Sequence, residues 1–304
     1  MRLGMIGLGR MGGNMVRRLR RGGIDVVGFN RDARVAAQLS AETGMSAPGS
    51  LEGVLAELTA PRIVWLMLPA GDVTEQYVVK LGEKLEHDDV VVDGGNSHFT
   101  DSMRRGQYLG ERGIRFIDAG VSGGIWGLEE GYALMVGGPR RAVAMLEPAL
   151  KVLAPGPDRG WLHCGPTGSG HYVKMVHNGI EYGLMQAYAE GFALLKARTD
   201  FDLDLAAIAE MWRHGSVVRS WLLDLTADFL AKDQTLEAVA PYVADSGEGR
   251  WTAIEAIERG VPAPIMSTAL MMRFVSQGQL DYGAKILAMM RNSFGGHAIK
   301  KQGE

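Results

Sequence analysis

Four polar side chains define the chemistry this sequence could carry: Lys174, His177, Asn178 and Glu181. On a helix turning 100° per residue, with Lys174 at zero, His177 falls at about −60°, Asn178 at about +40° and Glu181 at about −20°. All four share one stripe, two turns long. Such a row holds an amine, an acid and two hydrogen-bonding groups at fixed separations. Its neighbours Val173, Met175, Val176 and Ile180 are apolar. A lysine in apolar surroundings is suited to move a proton on and off a hydroxyl. The plain alternative is a solvent-facing stripe. Surface stripes, however, are built mostly from long charged residues, and this one includes a His and an Asn.

A second constellation is Gly7-Leu8-Gly9-Arg10-Met11-Gly12, a G-x-G-x-x-G between the strand-like run 3–6 and a helical stretch over 12–21. Glycines there permit a tight turn and close approach of a pyrophosphate, and the helix N-terminus offers free N–H groups. A Gly-rich string alone is weak in a chain with 42 glycines. Its place after an apolar strand and before an amphipathic helix makes it a dinucleotide site. The next strand, 26–29, ends in Asn30-Arg31-Asp32. An acidic residue in the first position usually binds the NAD ribose. Here Asn30 stands there, and the Arg31 guanidinium could grip a 2′-phosphate. This favours NADP, with NAD possible; Asp32 could pair with Arg31 or repel the phosphate.

Two loops add polar groups. Asp93-Gly94-Gly95-Asn96-Ser97 follows the apolar run 90–92, at the carboxyl edge where open α/β sheets bind ligands. Val121-Ser122-Gly123-Gly124 follows a strand over 115–118 and offers backbone N–H groups and a hydroxyl to an anion. Leu68, Pro69 and Ala70, closing the run that starts at Ile63, join Asn96 in the cofactor-binding set.

These residues need a scaffold of two kinds. The first half alternates short apolar runs with amphipathic stretches, which predicts a parallel, doubly wound Rossmann-type sheet. The second half reads as helices over 170–196, 205–214, 218–231, 251–259 and 264–275, without strand alternation. Pro155, Pro157 and Pro166 cluster with glycines where the texture changes. The expected domains are 1–166, dinucleotide-binding, and 167–304, all-helical. The length of 304 residues suits two domains. The 17 methionines, with pairs at Met271-Met272 and Met289-Met290, are expected to fill a helical core.

A net charge of −3 gives no global field for nucleic acid or an anionic membrane. The lone Cys164 forms no intrachain disulfide and has no activating neighbour in sequence. No apolar run approaches a membrane span and no secretory signal pattern opens the chain, so a cytoplasmic protein is expected. No His/Asp/Glu cluster has metal-ligand spacing, so no metal is expected.

The motifs at 7–12, 93–97 and 121–124, the string Lys-Met-Val-His-Asn-Gly-Ile-Glu-Tyr at 174–182 and the tail Arg-Asn-Ser-Phe-Gly-Gly-His at 291–297 resemble 6-phosphogluconate dehydrogenase, nearly end to end. The resemblance implies that Lys174 is general base and then acid, and that Glu181 protonates the enediol. It implies that Asn96, His177 and Asn178 orient hydroxyls, and that Ser122, Gly123 and Gly124 hold the carboxylate. Tyr182, Arg273 and Arg291 would hold the phosphate of a sugar-acid substrate, with His297 nearby. It further implies a homodimer or homotetramer in which the tail reaches a neighbour's site. The chain resembles the short forms. Where long members carry a phosphate-binding lysine, it has Ser246. Two other readings stay open. A non-decarboxylating β-hydroxyacid dehydrogenase, such as a 3-hydroxyisobutyrate dehydrogenase relative, would not need Glu181 or the tail. An inactive NADP-binding regulator would not need Lys174.

Overall fold

The computed structural model describes residues 1–295 and Ala298. They form two compact units, one of Met1–Met175 and one beginning at Val176. In the first, strands and helices alternate: β1 (Arg2–Ile6), α1 (Arg10–Arg21), β2 (Asp25–Phe29), α2 (Ala33–Thr43), α3 (Leu51–Ala56), β3 (Ile63–Leu66), α4 (Asp72–Lys84), β4 (Val90–Asp93), α5 (Phe99–Gly110), β5 (Arg115–Ser122), α6 (Gly127–Glu130), β6 (Ala133–Gly137), α7 (Arg140–Leu153) and β7 (Trp161–Gly165). The seven strands lie in the order β2-β1-β3-β4-β5-β6-β7.

Successive side chains of a strand point to opposite faces, and both faces here are covered. Ile63 and Trp65 of β3 join the apolar cluster on one side, Val64 and Leu66 that on the other. All four residues of β3 and of β4 are buried. Full burial of each Val or Leu contributes roughly 1.5–3 kcal/mol. The doubly wound sheet is therefore present, with one departure from the all-parallel expectation. β5 pairs antiparallel with β6, because the stretch between them holds only a short 3-10 turn and the four-residue α6. A parallel return needs a crossover of a dozen or more residues. Two strands lie beyond the expected set, β6 and the edge strand β7. β5 also runs four residues past the expected end, so Val121 and Ser122 belong to the strand itself.

The 29-residue helix α8 (Ser169–Ala197) begins in the first unit and continues into the second. There follow α9 (Leu205–Trp212), α10 (Trp221–Leu230), α11 (Glu248–Glu258), α12 (Pro264–Ser276) and α13 (Asp281–Gly295). Asp204 and Ser220 cap α9 and α10, each accepting a backbone N–H three residues on. Among its described residues the second unit has two small apolar clusters, one joining α9 and α10 and one around Tyr182, Ala253, Ala269 and Leu270. Its methionine pairs do not fill a core. Met271, Met272, Met289 and Met290 are 50%, 40%, 51% and 57% exposed. These helices leave large apolar side chains exposed, Ile257, Ile265 and Leu287 among them. Among the described residues, no helix is long and apolar enough to cross a membrane.

Candidate functional site

The carboxyl edge of the sheet gathers the candidates of the first unit. β1 has β2 on one side and β3 on the other, so strand order reverses there, the place where such sheets hold ligands. Each glycine of the 7–12 turn has its own reason. Gly7 adopts φ +93°, and a Cβ there would run into the Met67 carbonyl. A Cβ on Gly12 would meet the Gly7 carbonyl, so α1 can press against the turn only without a side chain. Gly9 is different: a Cβ on it would meet nothing within 4 Å. The protein's own packing does not require that glycine. It leaves the N-terminus of α1 open to an outside group, and no acidic residue stands in that helix's first turn. The residues present fit a dinucleotide pyrophosphate.

The β2 end resolves Asp32. Its carboxylate caps α2 by accepting Arg34 N, and it holds the Arg34 guanidinium at 2.9 and 3.1 Å. Those hydrogen bonds hold Asp32 below the usual carboxylate range. Asp32 thus pairs with Arg34 rather than Arg31, which is exposed. Asn30 accepts the Leu8 N–H at 3.0 Å, tying this corner to the glycine turn. Leu68, Pro69 and Ala70 follow β3, with Pro69 and Ala70 exposed.

The β4 loop is anchored from below. Buried Asp93 accepts from Ser97 Oγ at 2.7 Å, Gly95 N at 3.0 Å and Arg105 Nη1 at 2.9 Å, and Asn96 stands exposed at the loop's crest. Arg105, 1% exposed, also bonds Glu75 at the start of α4. Arg104 and Arg105 together hold the Glu75 carboxyl down at about 2. Sequence reasoning passed over Arg105, although an Arg aligned with Ser102 and Leu109 on the buried face of α5 was a signal. At the end of β5, Ser122 pairs with Ala133, and Gly123 and Gly124 turn away with φ +127° and +52°.

Lys174 is set beside β5 by contact. A Cβ on Gly120 would lie 2.5 Å from Lys174 Cβ, so the strand and the first turns of α8 touch directly. Ser122 is two residues along the same strand face. Further along the same helix, His177 Nδ1 lies 2.9 Å from Asn178 Oδ1 and 4.0 Å from Glu181 Oε2. In the second unit Tyr182 OH meets Ser246 Oγ at 3.0 Å, and the Arg273 guanidinium lies 3.4 Å from the centre of the Tyr182 ring. Arg273 Nη1 donates to the Ala244 carbonyl at 2.8 Å, which fixes the stack. The structure so brings Tyr182, Arg273 and Ser246 together. Arg291 is exposed on α13, and His297 lies outside the described residues. Burial pushes the Cys164 thiol up, which suits no nucleophile. Among the described residues, no group of His, Cys, Asp and Glu could hold a metal ion.

Residues 2–165 match the NAD binding domain of 6-phosphogluconate dehydrogenase, and residues 170–293 match the C-terminal domain of that enzyme. The chain is 43% identical over 303 residues to an NAD(+)-dependent, decarboxylating 6-phosphogluconate dehydrogenase of Haloferax volcanii, covering 99% of both chains. It is 38% identical to the decarboxylating 6-phosphogluconate dehydrogenase of Haemophilus ducreyi, spanning 59% of that longer protein. Among solved structures, the 6-phosphogluconate dehydrogenase of Plasmodium falciparum superposes with a TM-score of 0.85 at 28% identity, over 100% of this chain and 67% of that one. A 3-hydroxyisobutyrate dehydrogenase of Salmonella typhimurium shares the fold, with a TM-score of 0.74 at 21% identity over 92% of this chain and 95% of that one. With both halves matched and a relative of equal length at this identity, the chain belongs to the 6-phosphogluconate dehydrogenase family.

Proposed function

We propose that this chain catalyses NAD(P)-dependent oxidative decarboxylation of 6-phosphogluconate to ribulose 5-phosphate and carbon dioxide. The observation that carries this reading is the single helix α8, which holds Lys174 and Glu181 on one stripe. The turn at 7–12, with Asn30, Arg31, Leu68, Pro69, Ala70 and Asn96, would hold the cofactor. When bound, the nicotinamide supplies the acceptor for the hydride of substrate C3.

Lys174 takes the proton of the C3 hydroxyl as that carbon is oxidised. The carboxylate at C1 is then β to a ketone. Lys174 returns its proton to the ketone oxygen as the C1–C2 bond breaks, carbon dioxide departs and the electron pair forms an enediol. Glu181 protonates the carbon that becomes C1 of the product, while Lys174 takes back the hydroxyl proton. Protein donors steady the developing charge, so a metal is not required. Asn96, His177 and Asn178 orient the hydroxyls; Ser122, Gly123 and Gly124 hold the carboxylate. Tyr182, Arg273 and Arg291 hold the phosphate, with His297 nearby. Ser246 adds its hydroxyl where the long forms place a lysine.

Arg31 favours NADP over NAD, and Arg34 neutralises the Asp32 carboxylate that would oppose the extra phosphate. We place the change from cofactor half to substrate half at 166/167 and the enzyme in the cytoplasm. The exposed apolar faces of the second unit support self-association, dimeric or tetrameric, in which the segment from Arg291 onward completes a neighbouring site. Steady-state kinetics with gluconate and its 6-phosphate, each with NAD and NADP, test the proposal. The phosphate ester is expected to be turned over far more efficiently than gluconate. Equal kcat/KM for both acids would remove the phosphate pocket from the account.

A further inference from the structure

We propose that Asp118 is a positioning residue for Lys174, acting through the first turn of α8; the proposal rests on reading Lys174 as the base. Asp118 lies in β5 and is fully buried. Its two carboxylate oxygens accept separate backbone N–H groups, Gly168 N at 2.7 Å and His171 N at 2.8 Å. Both amides belong to the N-terminal turn of the helix that presents Lys174, where N–H groups lack intrahelical acceptors. A carboxylate there satisfies two of them and meets the positive end of the helix dipole.

Three glycines allow this contact. A Cβ on Gly137 would stand 2.5 Å from Asp118 Oδ1 and 2.7 Å from Gly170 N. A Cβ on Gly170 would strike the Asp118 carbonyl and lie 2.5 Å from the Met135 carbonyl. Gly120 leaves room for Lys174 itself. Helix start and strand pair therefore meet backbone to backbone, and the Asp118 side chain bolts them together. His171, 2% exposed, adds a brace from its other end, with Nδ1 2.7 Å from Ser102 Oγ of α5. Lys174 stands one turn beyond His171, so a shift of the first turn moves its amine directly.

Asp118→Asn keeps the shape but turns one acceptor into an NH2 that faces an N–H. Cofactor affinity should stay unchanged, since the glycine turn lies on β1, with β3 and β4 between. kcat should fall about a hundredfold, the cost of a misplaced reacting group. The primary isotope effect with C3-deuterated substrate should rise. KM should move little. Wild-type kcat and isotope effect in a variant that merely melts lower would reduce Asp118 to a structural part and overturn the proposal. Should that variant fail to fold, amide hydrogen exchange of the wild-type protein decides. Gly168 and His171 amides as slow as those of the β5 core support the bolt; exchange as fast as at exposed helix ends contradicts it. Absence of wild-type turnover would sink the reading of Lys174 and leave the exchange result standing.

Discussion

The two units solve the problem of burial differently. The first covers both faces of its sheet with its own helices, and each candidate loop is tied down from beneath: the β4 loop by Asp93 and Arg105, the β2 corner by Asn30, the start of α8 by Asp118. The second has, among its described residues, two small apolar clusters and leaves large apolar side chains uncovered, with Ile257 80%, Tyr282 76% and Leu287 62% exposed. The sheet half fixes its candidate loops with its own side chains. The helical half leaves much of its apolar surface exposed, as the proposed self-association requires. α8 is the element that both share, and it carries Lys174 in one unit and Glu181 in the other.

That contrast can be broken in several ways. Lys174→Met should have the largest effect, removing roughly 10²–10⁴-fold of turnover while cofactor still binds. Retained activity, measured by cofactor reduction at saturating substrate, would take Lys174 out of the mechanism. Truncation before Arg291 should cost activity although the first unit is untouched; an unchanged KM would mean that the tail reaches no site. Met290→Glu should shift sedimentation toward the monomer, whereas Met103→Glu, at an equally exposed position of the first unit, should not. Equal behaviour of the two would erase the contrast. Gly9→Val should raise the KM for cofactor with little change in Tm, while Gly7→Val, against the Met67 carbonyl, should lower Tm. The smallest effect is in pH. Glu75 is held at about 2 against an ordinary 4.5. A lowered carboxylate stabilises the fold above its unfolded value and loses that contribution as pH falls through the folded one. Glu75→Gln should therefore flatten the acid limb of the stability curve between about 4.5 and about 2. A limb identical to wild type would mean that Arg104 and Arg105 do not couple to it.

Much of this was legible from residues alone. Helical periodicity gave α8 to within a residue at either end, because 29 residues without proline leave little choice. β5 runs past its expected end because Gly120 and Ser122 lack strand propensity; pairing with Met135 and Ala133 of β6, not propensity, keeps them extended. β7 carries no local signal because it is an edge strand with Leu162 66% exposed, so no apolar alternation marks it. In the sequence Asp118 only closes the strand-like run 115–118. A carboxylate inside an apolar run must find partners when buried, and that was the clue available. Its partners are backbone amides some 50 residues later, which no local pattern reveals. The methionine pairs depart from expectation for a related reason: apolar composition does not say which face of a helix is covered, and all four are at least 40% exposed.

One measurement bears most directly on the claim that α8 oxidises and decarboxylates at a single site. With 6-phosphogluconate labelled at C1, each reduced cofactor should be matched by one labelled carbon dioxide. Cofactor reduction without release of the label would contradict the account and point to a dehydrogenase that stops at the ketone.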